Sequence, residues 1–97
     1  MKSIEIYIDI EFNILIDVIN KIIILNNKQK EITDEKINEL LRIIRTWENS
    51  YQSNNIIDGE EFLIKINTDN KTEIIKGKGK YPENYNLLKS WIGDIYG

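Results

Sequence analysis

The chain contains no cysteine and no histidine. Without a thiol it can form no disulfide bond, no thiolate nucleophile and no cysteine-ligated zinc site. Without an imidazole it lacks the side chain that most often serves as a general base near neutral pH and as a metal ligand. These absences argue against an enzyme, and we predict no catalytic residue, no metal ligand and no cofactor.

Long apolar runs are also missing. The longest is Ile22–Leu25, far short of the ~20 apolar residues that a membrane-spanning helix needs. The first residues, Met1–Glu5, lack the basic and apolar regions of a signal peptide. We therefore expect no membrane association and a cytoplasmic location.

A strong charge of either sign is absent too. The 13 basic and 16 acidic residues give a net charge of −3, which provides little attraction to nucleic acid or to an anionic membrane. Alanine is absent, while isoleucine, asparagine and lysine are abundant, as is typical of AT-rich genes. With 97 residues there is room for one hydrophobic core, so we expect a single domain over residues 1–97.

Strand signals dominate the first third of the chain. Isoleucines alternate with polar residues at the start, at positions Ile4, Ile6, Ile8 and Ile10. A period of two is typical of a strand with one face on a core. The intervening positions would then place Glu5, Asp9 and Glu11 on an acidic outer face.

Residues 12–25 fit two patterns. Apolar residues at helical spacing favour a helix, whereas alternating apolar residues and many β-branched side chains favour two strands joined at Asn20-Lys21. We favour two strands, and the helix is the alternative. Asn26-Asn27 then forms a turn, and a short strand follows at Gln29–Ile32.

An amphipathic helix is predicted from about Asp34 to Ser50. Thr33 suits the N-cap, and acidic residues follow in the first turn, where the helix dipole favours them. Its apolar stripe consists of Ile37, Leu40, Leu41, Ile44, Trp47 and Tyr51. A hairpin and a second helix come next, with strands around 62–66 and 72–78 and the helix at about 83–95.

The predicted fold class is therefore α+β, with the order β-β-β-α-β-β-α. Since strands and helices do not alternate regularly, a doubly wound parallel sheet is disfavoured. We expect an antiparallel sheet of four to five strands with both helices on one face. This packing would bury Trp47 and Trp91 against the isoleucines.

Residues 35–97 carry a pattern of turn and packing residues. It runs Trp47…Tyr51…Ile57-Asp58-Gly59…Phe62…Gly77…Gly79…Tyr81-Pro82-Glu83-Asn84-Tyr85. In this pattern the chain resembles a group of small bacterial and mobile-element domains. The resemblance implies a fold and not a mechanism. Such sequences often carry tryptophan where this chain has Phe62, a departure that would only reshape the core.

A locally basic segment is one candidate binding surface. It comprises Lys76, Lys78 and Lys80 with the nearby Tyr81 and Tyr85. Lysines interleaved with tyrosines suit single-stranded nucleic acid or a protein interface, and the acidic net charge favours a protein. Glycines on both sides of Lys78 could also cradle a phosphate, but they lack the P-loop spacing. The simpler alternative is that the lysines guard an edge strand.

Acidic residues supply two further candidates. Glu5, Asp9 and Glu11 could dock on a basic partner, or could simply be solvated. Asp58, Glu60 and Glu61 could hold Mg²⁺ in a hydrolase, but we favour the simpler explanation that Asp58-Gly59 forms a turn and that Glu60 and Glu61 are solvated.

We therefore expect a non-enzymatic protein–protein interaction domain. Its short length and its resemblance to mobile-element domains favour a phage-type inhibitor of a bacterial defence system, such as an anti-CRISPR protein, or an immunity or accessory protein. Nucleic-acid binding through residues 71–85 is the alternative, and a metal-dependent hydrolase ranks third. Self-association into a homodimer is left open.

Overall fold

A computed structural model of the chain describes residues 1–52 and 59–97. These residues form seven strands and two helices. In chain order the elements are β1 (Ser3–Ile8), β2 (Phe12–Asp17), β3 (Ile22–Leu25), β4 (Lys28–Glu31), α1 (Asp34–Ile44), β5 (Ser50–Gln52), β6 (Glu61–Asn67), β7 (Thr72–Lys78) and α2 (Tyr85–Tyr96). Neither helix in the described ranges is long and apolar enough to cross a membrane.

All seven strands belong to one sheet, in the order β4-β3-β2-β1-β6-β7-β5. The first four strands form an antiparallel meander, and the β6–β7 hairpin joins it by pairing β6 with β1. β5 lies at the other edge and runs parallel to β7. The predicted α+β class is confirmed, whereas the sheet has more strands than expected and is mixed rather than wholly antiparallel.

The hydrophobic core lies on one face of this sheet. Alternate strand residues form a single buried cluster with residues of both helices. The helices are also held to each other and to the sheet by polar contacts, since the Trp91 indole donates to the Lys36 carbonyl at 2.9 Å and the Lys30 ammonium donates to the Ile95 carbonyl at 3.1 Å. Trp47 and Trp91 are both buried, as predicted.

The two-strand interpretation of residues 12–25 is confirmed, since β2 and β3 pair antiparallel there. These residues form strands and not a helix. The strand alternation places the β-branched Ile14, Ile16 and Ile23 in the core. The short strand that follows is also present as β4.

The first strand is shorter than predicted. β1 ends at Ile8, and the chain turns at Asp9, which has a positive φ of 46°. Ile10, which was expected on the core face, is 99 % exposed at the tip of the β1–β2 hairpin. The alternation of isoleucines continues in the sequence beyond the end of the strand. The prediction therefore placed Ile10 on the core face, although it lies in the turn.

The first helix is also shorter than predicted. Thr33 caps it as expected, because its hydroxyl accepts from the Lys36 amide at 3.2 Å, but the helix ends at Ile44 instead of continuing to Ser50. Beyond it the Lys76 amide donates to the Asn49 carbonyl at 3.0 Å, which draws the chain into β5. Tyr51 therefore lies on a strand and not on the helical stripe.

Gly77 is required by a close packing contact. A Cβ at this position of β7 would overlap the ring of Phe62, its cross-strand neighbour in β6. Phe62 lies at the centre of an aromatic cluster that also contains Trp47, Tyr51 and Tyr85. The sequence pattern that contains Gly77 thus reflects core packing.

Replacing Gly77 with alanine should lower the free energy of unfolding by about 1–3 kcal/mol, the usual cost of overpacking. The matched control is Gly93→Ala in α2, where an added Cβ meets nothing within 4 Å. That variant should be stabilised by about 0.5–1 kcal/mol because alanine favours a helix. Urea unfolding followed by circular dichroism measures both, and equal stabilities of the two variants would contradict the packing argument.

Candidate functional site

The face of the sheet opposite the helices carries the candidate site, and we call it the uncovered face. No helix or strand of residues 1–52 and 59–97 lies over it. Its side chains alternate with the core residues along the strands: Ser3, Glu5, Tyr7, Asn13, Leu15, Asp17, Ile22, Ile24, Glu61, Leu63, Lys65, Asn67, Thr72, Ile74, Lys76 and Lys78.

Strand register arranges these side chains in rows across the sheet. Across the four strands β2, β1, β6 and β7, one row consists of Leu15, Glu5, Lys65 and Ile74, and on the β2 side it is continued by Ile24 on β3. We use "the row" for the four residues on these four strands. Its two ends are apolar and open to solvent, with Leu15 40 % and Ile74 44 % exposed. The centre of the row is an acidic residue beside a basic one.

A hydrogen-bonded network orders the middle of the uncovered face. The Tyr7 hydroxyl donates to Oε1 of Glu5 at 2.6 Å, and the Asn67 amide donates to Oε2 of the same carboxylate at 3.0 Å. Asn67 also donates to the Ser3 hydroxyl at 2.9 Å and accepts from the Thr72 hydroxyl at 2.9 Å. Three strands thereby fix the carboxylate of Glu5.

This network favours the ionised form of Glu5. The hydrogen bonds from Tyr7 and Asn67, with a smaller contribution from the charge of Lys65, hold the pKa of Glu5 below its usual range. The hydrogen bond to Glu5, together with burial, raises the pKa of Tyr7. Glu5 is therefore a fixed negative charge and not a proton carrier near neutral pH.

The three predicted acidic residues do not share one strand face. Glu5 lies on the uncovered face, whereas Asp9 and Glu11 belong to the β1–β2 turn. Asp9 has a structural contact, since its Oδ1 accepts from the Glu61 amide at 2.8 Å and so ties the turn to the start of β6.

The predicted basic group is divided by the sheet. Lys76 and Lys78 project from the uncovered face, and Lys80 lies exposed in the loop after β7. Lys78 forms an ion pair with Glu61 at 3.0 Å. Together with Tyr7, the lysines of β7 help line a shallow depression of about 770 Å³ at this end of the uncovered face.

The two tyrosines of that group lie on the helix side instead. Tyr85 is buried in the core, and Tyr81 stacks on it with ring centroids 4.7 Å apart. Tyr81 also donates to the Glu60 carbonyl at 2.9 Å. The expected surface of Lys76, Lys78, Tyr81 and Tyr85 is therefore not formed, and the single-stranded nucleic-acid hypothesis loses these two rings as platforms on which bases would stack.

The predicted carboxylate cluster is not assembled by its described members. Glu60 bonds on the helix side to the Tyr85 hydroxyl at 2.6 Å and to Lys89 at 2.7 Å, while Glu61 projects from the uncovered face. Asp58 lies outside the described residues. Within the described ranges, no three acidic side chains are grouped so as to hold a metal ion.

Sequence reasoning missed the apolar members of the uncovered face. Leu15, Leu63 and Ile74 occupy outward positions of their strands, where a solvated face would carry polar residues. The signal was present as apolar residues out of phase with the core alternation. The strand register is needed to recognise this surface. Leu15 and Ile74 are 59 positions apart in sequence, and they lie in one row only because β1 and β6 lie between their strands.

The comparisons with known proteins returned no relative. No protein-family model, no curated protein and no solved structure matches this chain. The function must therefore be inferred from the geometry of the chain itself.

The Tyr85–Glu60 hydrogen bond should make stability depend on pH at the alkaline end. Burial, then the bond to Glu60, raises the pKa of Tyr85, so the unfolded chain loses this proton first. The stabilisation is complete below about pH 10 and is lost as the pH rises further. Tyr85→Phe should therefore cost about 1–2 kcal/mol at pH 7 and flatten the alkaline loss of stability.

Urea unfolding at pH 7 and at about pH 10.5 measures this difference. Glu60→Gln is the matched control, because it keeps an acceptor for Tyr85 but removes the charge. Burial alone would raise the pKa of Glu60, but hydrogen bonds from Lys89 and Tyr85 outweigh it and lower the pKa. The parent should therefore lose this contribution as the pH falls below about 4.5, and Glu60→Gln should not. An unchanged alkaline slope in Tyr85→Phe would refute the assignment.

Proposed function

We propose that this chain is a non-enzymatic protein-binding domain whose contact surface is the uncovered face of its sheet. The observation that carries the proposal is the row of side chains with Leu15 and Ile74 at its ends. Apolar side chains at outward strand positions, set around a polar centre, are the composition of a protein interface. A face that only met water would not need them.

The rigidity of the uncovered face supports this proposal. Binding costs free energy for every side chain that must be ordered, so a surface ordered in advance binds with a smaller loss. Glu5 is already held by a hydrogen bond from Tyr7 on its own strand and by one from Asn67 on β6. Such a centre gives specificity, because a partner must complement its charge and shape.

The chemistry of the carboxylates supports a non-catalytic role. General acid–base catalysis needs a group whose pKa lies near the working pH. The pKa values of Glu5 and Glu60 are both lowered, and each carboxylate already accepts two hydrogen bonds or an ion pair from this chain. They act as fixed charges and acceptors.

The partner class is a further part of the proposal and depends on the sequence. The resemblance of residues 35–97 to bacterial and mobile-element domains, with the AT-rich composition, favours a phage-type inhibitor of a bacterial defence system, or an immunity or accessory protein. Under this proposal the chain would act by covering a surface of its target.

Charge placed at either end of the row should abolish partner binding without unfolding the chain. Leu15→Glu and Ile74→Glu each add a charge that would have to be desolvated in the complex. Leu87→Glu is the matched control, because Leu87 is an exposed leucine, 55 % accessible, on α2 on the other side of the molecule. The three variants are compared by affinity purification from bacteria, and the measured quantity is the amount of partner protein recovered per mole of this chain.

Loss of the partner in both sheet variants and its retention in Leu87→Glu is the expected result. Equal recovery with all three variants would place the contact elsewhere. Circular dichroism and thermal unfolding of each variant verify that the fold is kept.

Nucleic acid should not bind. Gel shifts with single- and double-stranded DNA and RNA at about 50 mM salt are expected to show free probe only, because the net charge is −3 and Tyr81 and Tyr85 lie on the helix side, away from Lys76 and Lys78. A shift that disappears in a Lys76→Glu, Lys78→Glu double variant would instead support the nucleic-acid alternative.

A further inference from the structure

We propose that the occupant of the uncovered face is a second copy of this chain, related by a two-fold axis that runs along the strands above the β1–β6 boundary. This inference rests on the proposed function, since it names the partner of the same face. The observation behind it is that the charges and apolar side chains of the face are complementary to themselves.

Charge on the uncovered face is separated into two halves. The half formed by β1 and β2 carries Glu5 and Asp17, and the half formed by β6 and β7 carries Lys65 and Lys76. The remaining charges of the second half, Glu61 and Lys78, neutralise each other in an ion pair. A two-fold interface brings one half of a surface onto the other half of its copy, so an acidic half beside a basic half is suited to it.

The register decides which side chains would meet. Glu5 and Lys65 are direct cross-strand neighbours, at the same height on either side of the proposed axis. Rotation about an axis parallel to the strands preserves height and exchanges the two sides. Glu5 of one copy is then opposite Lys65 of the other, and the contact occurs twice.

The same rotation matches the apolar ends of the row. Leu15 and Ile74 are one strand further out on either side, and they are at the same height as the central pair. Leu15 of one copy is therefore opposite Ile74 of the other. These two most exposed apolar residues of the row would lose their solvent contact, which is the main hydrophobic gain of the dimer.

The adjacent row is also compatible. Tyr7 and Leu63 are cross-strand neighbours, with Asn13 beyond Tyr7 and Lys76 beyond Leu63. The rotation places Tyr7 opposite Leu63, and Asn13 opposite Lys76. An aromatic ring meets a leucine, and an amide meets an ammonium group, so no like charges are opposed in either row.

Pairing through the sheet edge is the competing route, and the edge strand β4 opposes it. A two-fold axis that joined two β4 strands into one continuous sheet would leave the helices of both copies on the same face of that sheet. Lys28 and Lys30 pair with buried residues of β3 and so lie on that side. Registers centred on Lys28, Gln29 or Lys30 bring lysine against lysine, which is the usual protection of an edge strand.

The available area indicates a weak, concentration-dependent dimer. With strands about 4.8 Å apart and about 3.3 Å per residue, the four strands β2, β1, β6 and β7 cover roughly 400 Å² in each copy. Both copies together bury roughly 800 Å², which is below the ~1,200 Å² of stable interfaces and in the range of weak, transient ones. The dimer should therefore dissociate on dilution.

The test is sedimentation velocity of the full chain at concentrations from about 5 to about 500 µM, a span suited to a small interface. The parent should pass from monomer to dimer. Leu15→Lys and Ile74→Glu should each weaken the dimer at least tenfold, by about 1.4 kcal/mol or more, because a charge is placed opposite an apolar side chain. Both positions are exposed, so both variants should fold.

Mixing these two variants is the decisive arm. In the mixed dimer the lysine introduced at position 15 would be opposite the glutamate introduced at position 74, and the other contact would keep Leu15 and Ile74, so association should recover. Within one copy the two positions are three strands apart, about 14 Å, so an internal ion pair cannot explain recovery. A second pair, Glu5→Lys mixed with Lys65→Glu, should behave in the same way.

A parent that stays monomeric throughout the range, or a mixture that associates no better than its components, would overturn the dimer. The proposed function is tested separately by the affinity purification described above. A monomeric parent that still loses its protein partner in Leu15→Glu would reject the second copy and retain the binding face. A dimer that forms normally with Leu15→Lys and Ile74→Glu would reject the second copy as the occupant of the uncovered face, whereas only equal partner recovery in the affinity purification would reject the binding face.

Discussion

The alternation of side chains along β1 is the constraint on which the rest of the structure depends. β1 is the middle strand of seven and pairs with β2 on one side and β6 on the other. Its isoleucines enter the core beneath the helices, so Glu5 and Tyr7 must emerge on the opposite face. A shift of one residue would bury a carboxylate and expose the isoleucines. The core thus determines which residues a partner can touch.

Local pattern was sufficient for the elements whose signal is contained in a few residues. Thr33, with the acidic residues after it, located the start of α1, and alternation located β1, β6 and β7. It failed where a distant contact decides the outcome. The helical stripe continues in sequence to Tyr51, yet the helix ends at Ile44. Asn49 and β5 instead form hydrogen bonds with β7, whose paired residues lie 26 positions later in the chain than those of β5.

The candidate site was less predictable than the fold for the same reason. Lys78 and Tyr81 are close in sequence, and nothing local shows that the end of the sheet places one outside and the other under the helices. Conversely, Leu15 and Ile74 share a row only because β1 and β6 lie between them. Composition led us to predict binding rather than catalysis, but only the strand order shows which residues form a surface.

The one-sided packing of this sheet connects stability with binding. A small domain buries a limited fraction of its surface, and placing both helices on one face concentrates its core there. The other face is then free to carry apolar residues whose burial stabilises a complex rather than the monomer. Glu5 keeps such a face specific, because its charge is fixed by Tyr7 and Asn67 before any partner arrives. Any partner that covers Leu15 and Ile74 must also place a cation or a donor near that carboxylate, and on this chain Lys65 is the residue that the two-fold rotation brings there.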